Sequence, residues 1–433
     1  MVERTKIVHI AILVAMVIGG SACGSSDEGD VVPGKPAAEP IAAPATPPTL
    51  DTGLLLALSQ FEVTPEGKVL PKPGAALLEI MTRQDGEWKI EQLEDPESNV
   101  FHKAMVFTPP GGEPGILTLG GNAAALKLWT KQDGEFKEEV LWRAVFGGKH
   151  NRMRDAEAGA LFAKDTPDLA VATHDQGVVG IVRRRPDGQY QALEIDRQQD
   201  TFVHEIEIGD LDGDEALEVY ATPSEPNRLD GTPQSGHVVR YVPQKRERRT
   251  VVADLGTRHA KEILVDDVDG DGRDELYVSV EGEMEDSRLK SPVEIRRYDA
   301  DTDPTGGVVI ATINDHLTRF LTAGDVDGDG KKEIVAAAFK SGLWLLRPGS
   351  DPKAPWTVTS IDENSSGFEH ASILADLDND GTDELYVASD DQGEVRRYVW
   401  TDKGFAGETI YKRAVPGSVF TWNIMPVPVA LVE

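Results

Sequence analysis

From residue 51 onward the chain alternates short apolar runs with polar turn signals, and no long stretch repeats its apolar positions at helical spacing. The runs are rich in Val, Ile, Leu, Tyr and Thr, which suit a pleated, half-buried surface, so the pattern predicts short strands. Asp85-Gly86-Glu87-Trp88, Asp133-Gly134-Glu135-Phe136 and Asp187-Gly188-Gln189-Tyr190 each join an Asp-Gly pair to an aromatic. Asp-Gly between strands favours a two-residue hairpin, because both residues tolerate positive φ. The strands that precede these turns, 76–82, 126–130 and 178–182, have counterparts at 237–242, 293–298, 343–346 and 395–399, seven in all.

A longer period overlies the hairpins. Asp-rich segments open at Asp210, Asp267, Asp325 and Asp376, spaced by 57, 58 and 51 residues, and a worn copy near Asp155 keeps Glu157 and Asp168. Segment 54–93 offers three strands of a four-stranded unit, and 420–432 offers one more first strand with nothing after it. The two fragments complete each other. The expected fold is therefore all-β, a seven-bladed β-propeller over 51–433, closed by pairing the N- and C-terminal strands in one blade. Closure removes free sheet edges; an open stack or two sandwiches is the alternative.

Three of the Asp-rich segments share one register: Asp267, Asp269, Asp271; Asp325, Asp327, Asp329; and Asp376, Asp378, Asp380. Gly272, Gly330 and Gly381 take the sixth position, and Glu275, Glu333 and Glu384 the ninth. Carboxylates at alternate positions of a tight loop can converge on one hard cation, and calcium accepts six to eight oxygens at flexible distances. This is not an EF-hand, because the twelfth position is Val278, Ala336 or Val387 inside a strand. A fourth loop, Asp210, Asp212, Asp214 with Glu218, carries Glu215 where Gly is expected. Calcium at three to four sites is the expected cofactor; solvated acidic turns without metal are the alternative.

At these residues the chain resembles the FG-GAP and VCBS repeat family, the calcium-loop propellers also found in integrin α heads. The resemblance covers residues 150–400 well and 51–150 only through hairpin spacing. It implies that each loop joins the first and second strands of a blade on one face of the disc, and that ligands use the opposite face.

Six residues before each first Asp stand Lys149, His204, Lys261, Arg319 and His370, with His150, His259 and His316 close by. At the entrance of the innermost strands they would ring the other mouth of the channel. Such a collar could bind carboxylate, sulfate or phosphate, or its imidazoles could hold a transition metal or move protons. Hydrogen bonding between blades would explain the histidines equally well.

Composition narrows the partners. With 75 acidic against 44 basic residues the formal charge is −31, which repels nucleic acid. Arg4 and Lys6 precede an apolar run over 7–20, then Ser21, Ala22 and the sole cysteine, Cys23. This predicts a signal peptide over 1–22 and lipidation of Cys23, although Gly20 stands where a bacterial lipoprotein box usually carries an aliphatic. The Pro/Ala-rich segment up to residue 50 then serves as a tether. The expected product is an exported, monomeric lipoprotein of the cell envelope. It would sit at the outer membrane or cell surface, or on the periplasmic side, with only its anchor in the membrane. Its expected role is to bind an anionic saccharide, another anionic ligand or a protein. A metal-dependent polysaccharide lyase and an adhesion or assembly scaffold are the other readings. No nucleophile elbow, His-Glu-x-x-His or phosphate-binding Gly loop occurs.

Overall fold

The computed structural model describes residues 47 and 49–433, apart from 123–124, 144, 146–151, 165 and 174–175. The expected signal peptide, Cys23, nearly all of the tether, Lys149 and His150 lie outside the described residues.

Antiparallel four-stranded sheets form seven blades. Blade 1 unites both ends of the chain: Val419–Pro428 is its innermost strand, followed outward by Thr52–Val63, Val69–Gln84 and Glu87–Asp95. The closing pair runs antiparallel with Leu56 opposite Ile424, so the ring is sealed as the strand count predicts. The remaining innermost strands are Phe101–Phe107, Met153–Ala163, Val203–Gly209, Ala260–Asp266, Thr318–Gly324 and Ser372–Ala375, opening blades 2 to 7 in chain order. Blade 5 carries an added hairpin, Glu283–Glu285 with Arg288–Ser291.

Burial follows position in the blade. Second strands are covered on both faces by neighbouring blades; Glu218–Pro223, Glu275–Val280, Glu333–Ala338 and Glu384–Ser389 are buried along their whole length. Their near-continuous apolar content reflects that double coverage. Outermost strands such as Tyr190–Arg197 are mostly exposed or half-buried. The core is thus a ring of wedges between blades: Leu117 and Leu128 of blade 2, for example, pack with Met153 and Val171 of blade 3.

Two of the Asp-Gly pairs turn as expected, with positive φ at Asp85, Gly86, Asp133 and Gly134. The third differs: only Gly188 is left-handed, and the Arg185 N–H bonds to the Gln189 carbonyl across a longer turn. Pro186, with φ fixed near −65°, starts this turn and excludes the two-residue form. The worn copy in blade 3 is not a loop either. Asp155 and Glu157 lie within the innermost strand, and Asp168 lies in the second strand, Thr166–Thr173.

Candidate functional site: metal loops and channel mouth

The loops of blades 4 to 7 share one backbone device. The first Asp turns its carboxylate into the loop and accepts N–H groups from the fifth and sixth residues: Asp214 and Glu215 bond to Asp210, Asp271 and Gly272 to Asp267, Asp329 and Gly330 to Asp325, and Asp380 and Gly381 to Asp376, all at 2.8–3.2 Å. Wrapping around it requires positive φ at the fourth and sixth positions. Glycine meets that demand in most cases, Asn379 in blade 7, and Glu215 in blade 4 at φ 64°. A non-glycine residue there costs about 1–2 kcal/mol, so the irregular fourth loop keeps the common shape under strain.

Carboxylate oxygens converge within 4.8 Å of one another in all four loops. Asp267, Asp269, Asp271 and Glu275 meet in blade 5; Asp210, Asp212 and Asp214 in blade 4; Asp325, Asp327 and Glu333 in blade 6; Asp376, Asp378 and Asp380 in blade 7. Asp329, Glu218 and Glu384 stand outside their clusters. Asp327 and Asp378 each keep a buried Oδ1 without a hydrogen-bond partner. Several oxygens around open lone pairs fit a hard divalent cation of calcium's kind.

The ninth-position glutamate holds the loop from beneath. Glu218, Glu275, Glu333 and Glu384 are at most 3 % exposed. Each accepts the N–H of the loop's second residue: Leu211, Val268, Val326 or Leu377. Tyr220, Tyr277 and Tyr386, two residues on, donate their hydroxyls to it in blades 4, 5 and 7. Arg240, Arg297, Arg347 and Arg397 on the third strands pair with it at 2.7–3.2 Å. The last three also pair with the loop's third residue, Asp269, Asp327 or Asp378. Burial, reinforced by those aspartates, pushes Glu275, Glu333 and Glu384 up to about 7 although the arginines pull the other way. These partners were not among the residues expected from the sequence; their signal is the recurrence of Arg-Tyr at 240–241, 297–298 and 397–398.

Adjacent loops are latched together. The Asp210 N–H donates to Asp274 Oδ2 at 2.7 Å and the Asp325 N–H to Asp383 Oδ2 at 2.8 Å, joining blade 4 to 5 and 6 to 7. A side chain at Gly209 or Gly324 would strike those carboxylates. Between blades 5 and 6 the chemistry is exchanged: Asp266 replaces the glycine, and Lys332 pairs with it at 2.6 Å.

The opposite mouth is a closed knot and not an open collar. His204 Nε2 lies 2.6 Å from Arg154 Nη2 and 3.4 Å from Arg319 Nη2, while its Nδ1 faces the Lys261 carbonyl at 3.1 Å. This arrangement matches a neutral ring that donates from Nδ1 and accepts at Nε2. Glu369 takes two hydrogen bonds from Arg319 and lies 3.7 Å from Arg154. Among the described residues, the side chains of Lys261, His259, His316 and His370 do not join the knot. Lys261 turns to Glu225 and Glu281 on the long connections; His316 pairs with Asp315. His259 is buried against the Gln234 carbonyl. His370, fully buried, is held by Ser365 Oγ and the Ala338 carbonyl. His259 and His370 are packing groups, and Arg154, which the offset count passed over, takes their place.

Below the knot the channel is acidic. Lys103, 7 % exposed, pairs with Asp155 and Glu157, and Glu205, Glu207 and Glu262 complete the cluster. Burial and mutual repulsion raise all three glutamates well above the ordinary range. Burial alone would favour neutral Lys103, but the carboxylates outweigh it and raise it instead. Two members also cap innermost-strand N–H groups that have no further strand to bond: Ile206 bonds to Asp155 and Leu321 to Glu262.

An aromatic belt surrounds the knot. Arg154 stacks on Trp422 at 5.0 Å and Arg319 on Phe368 at 5.3 Å. Phe368 touches Phe339, Phe420 and Trp422 edge-on or tilted, and all four rings are half-buried.

Fold and loops together define a repeat propeller with acidic, cation-competent loops on one face. Residues 267–336, spanning the loops of blades 5 and 6, match the family model of the FG-GAP-like repeat, so the chain is a seven-bladed β-propeller that carries FG-GAP-like repeat sequence. No curated protein matches the chain.

Proposed function

We propose that the protein is an exported, lipid-anchored binding module. Calcium stiffens its loop face, and the mouth face receives a saccharide bearing a carboxylate. The observation that carries this reading is the belt of Trp422, Phe368, Phe339 and Phe420 around stacked Arg154 and Arg319. Flat, half-exposed rings suit the C–H faces of a sugar. Two guanidiniums share one directly paired carboxylate, Glu369, and a planar fork of N–H donors on each suits the carboxylate of an anionic substituent. His204 has both ring nitrogens engaged by neighbours, which favours binding over proton transfer at this mouth.

Calorimetric titration with uronic-acid oligosaccharides tests the mouth. Trp422→Ala and Phe368→Ala should each weaken binding about tenfold or more, the usual scale for a central aromatic anchor. Unchanged affinity in both variants at unchanged melting temperature would remove the reading. Calcium is tested separately. A site filled at a hundred times its Kd adds about 2.7 kcal/mol, so chelation should lower Tm by roughly 5 °C or more. Asp269→Ala and Asp327→Ala should each remove part of that shift; identical melts with and without chelator would refute calcium.

A further inference from the structure

The loop face is not acidic all the way round. Between blades 2 and 3, Arg183, Arg184 and Arg185 stand in succession at the end of the strand Val178–Arg184. With Pro110, Pro186 and Gln191 they line a cleft of about 470 Å³. Their surroundings differ. Arg183 is spent on the fold: its Nε bonds to Asp168 at 3.1 Å, and the guanidinium lies 4.3 Å over Phe162. Arg185 pairs with Asp187 at 2.9 Å, but both groups are about half exposed, so solvent screens the pair. Arg184 is exposed, and its Nη1 donates to the Pro110 carbonyl at 2.5 Å. Among the described residues no carboxylate lies within ion-pair distance of Arg184. The carbonyl fixes the guanidinium across the blade junction without neutralising it. Directly across the strand pair from Arg184, Tyr190 keeps a buried hydroxyl that has no hydrogen-bond partner.

We propose that this cleft is an oxyanion site that takes a tetrahedral dianion, sulfate or phosphate, free or carried as an ester on a sugar. A guanidinium offers five N–H donors in a rigid plane, and Arg184 uses one of them on Pro110. Being held in place beforehand lowers the ordering cost of binding. Three arginines line the cleft and two carboxylates pair with them; Glu139 acts on Tyr190 nearby but pairs with none of the three, so the lining itself is positive in a chain whose formal charge is −31. Charges beyond a Debye length of about 8 Å at physiological salt are largely screened, so the local excess governs. The cleft is far larger than a bare oxyanion and falls within the usual range of ligand pockets, about 300–1,000 Å³, which leaves room for the group that bears the ester. The site is independent of the aromatic mouth, which lies on the other face.

Calorimetric titration of the full chain with sodium sulfate and with a sulfated disaccharide, each with calcium and with chelator, tests the site. Saturable binding is expected with both probes and under both conditions. Arg184→Gln should weaken it about tenfold or more, the scale of a charge-assisted hydrogen-bond pair. Arg184→Lys, which keeps the charge and loses the plane, should fall in between, and Arg273→Gln, at the residue after Gly272 in the blade 5 loop on the same face, should leave it unchanged. Tighter binding of the disaccharide identifies an ester as the ligand, and equal affinity identifies the free ion. If Arg184→Gln melts early, Arg185→Gln supplies the same comparison. Absence of saturable heat, equal affinity in wild type, Arg184→Gln and Arg185→Gln, or binding that vanishes with chelator would overturn the proposal.

Discussion

The two faces of the disc repeat in different senses. On the loop face, one pattern of residues gives one geometry in all four loops, down to which N–H meets which aspartate oxygen. On the mouth face, four residues at one sequence offset occupy four environments: His204 in the knot, Lys261 on the long connections, Arg319 on Glu369, and His370 buried. The loops repeat because the Asp side chain is tied to its own backbone within a few residues, so copying the sequence copies the contact. Mouth contacts cross between blades, and each depends on what the neighbour supplies.

The largest effect expected from this contrast lies beneath the loops. Arg297 and Arg397 are buried and hold Glu275 and Glu384. Removing one partner of a buried pair typically costs about 3–5 kcal/mol. Arg297→Met and Arg397→Met should therefore lower stability by similar amounts in that range, read from denaturant melts. On the mouth face, Lys261→Met should cost less than either arginine variant, because Glu225, the nearer of its two partners, is 36 % exposed and water screens that pair. Widely different costs for the two arginines would break the claim that the loops share one support.

The next effect is the pH dependence that His370 contributes. Burial pushes His370 down to about 4 from 6.5. The unfolded chain therefore binds a proton through this window and the folded chain does not. The contribution of His370 is full above pH 6.5 and is lost as pH falls towards 4, amounting to roughly 3 kcal/mol at about 1.4 kcal/mol per pH unit. Asp390, whose buried carboxyl is raised to about 6, acts in the opposite direction over much of the same range. The informative quantity is thus the difference between wild type and His370→Gln, which should narrow as pH falls from 7 to 4. A constant difference would return His370 to the exposed collar expected from its sequence position.

That expectation failed for a reason visible in the strands. The strand pairs containing His204, Lys261 and Arg319 shift register at or beside these residues, between Val203 and Ile206, Ala260 and Glu262, and Thr318 and Phe320. A bulge takes these residues out of the ladder, so what each one contacts is set by the groups its neighbouring blade supplies and not by its count along the chain. His370 lies before its strand altogether, with φ 59°. Closure of the ring was legible because the missing strand of 54–93 and the orphan strand of 420–432 could be counted. The loops were legible because their contacts are local. Arg240, Arg297 and Arg397 were not, since each glutamate's partner lies on the third strand, 13–22 residues further along the chain.

The smallest effect probes whether the loop face is one repeated surface or a set of pairs. At the junctions of blades 4 with 5 and 6 with 7, a glycine faces an aspartate: Gly209 with Asp274, and Gly324 with Asp383. At the junction of blades 5 with 6, Asp266 faces Lys332, both partly exposed. If the two designs are equivalent solutions, Lys332→Asp alone should destabilise by up to about 1 kcal/mol, the limit for a screened pair turned repulsive. Adding Asp266→Gly should recover that loss, because it removes the repulsion and opens the space in which Asp274 and Asp383 reach a neighbour's backbone N–H. The coupling is read as a double-mutant cycle at low salt and should shrink at high salt. A double variant no more stable than Lys332→Asp would mean that the lysine junction is a distinct structure. Loops 4 and 5, and loops 6 and 7, would then be the working units of this face.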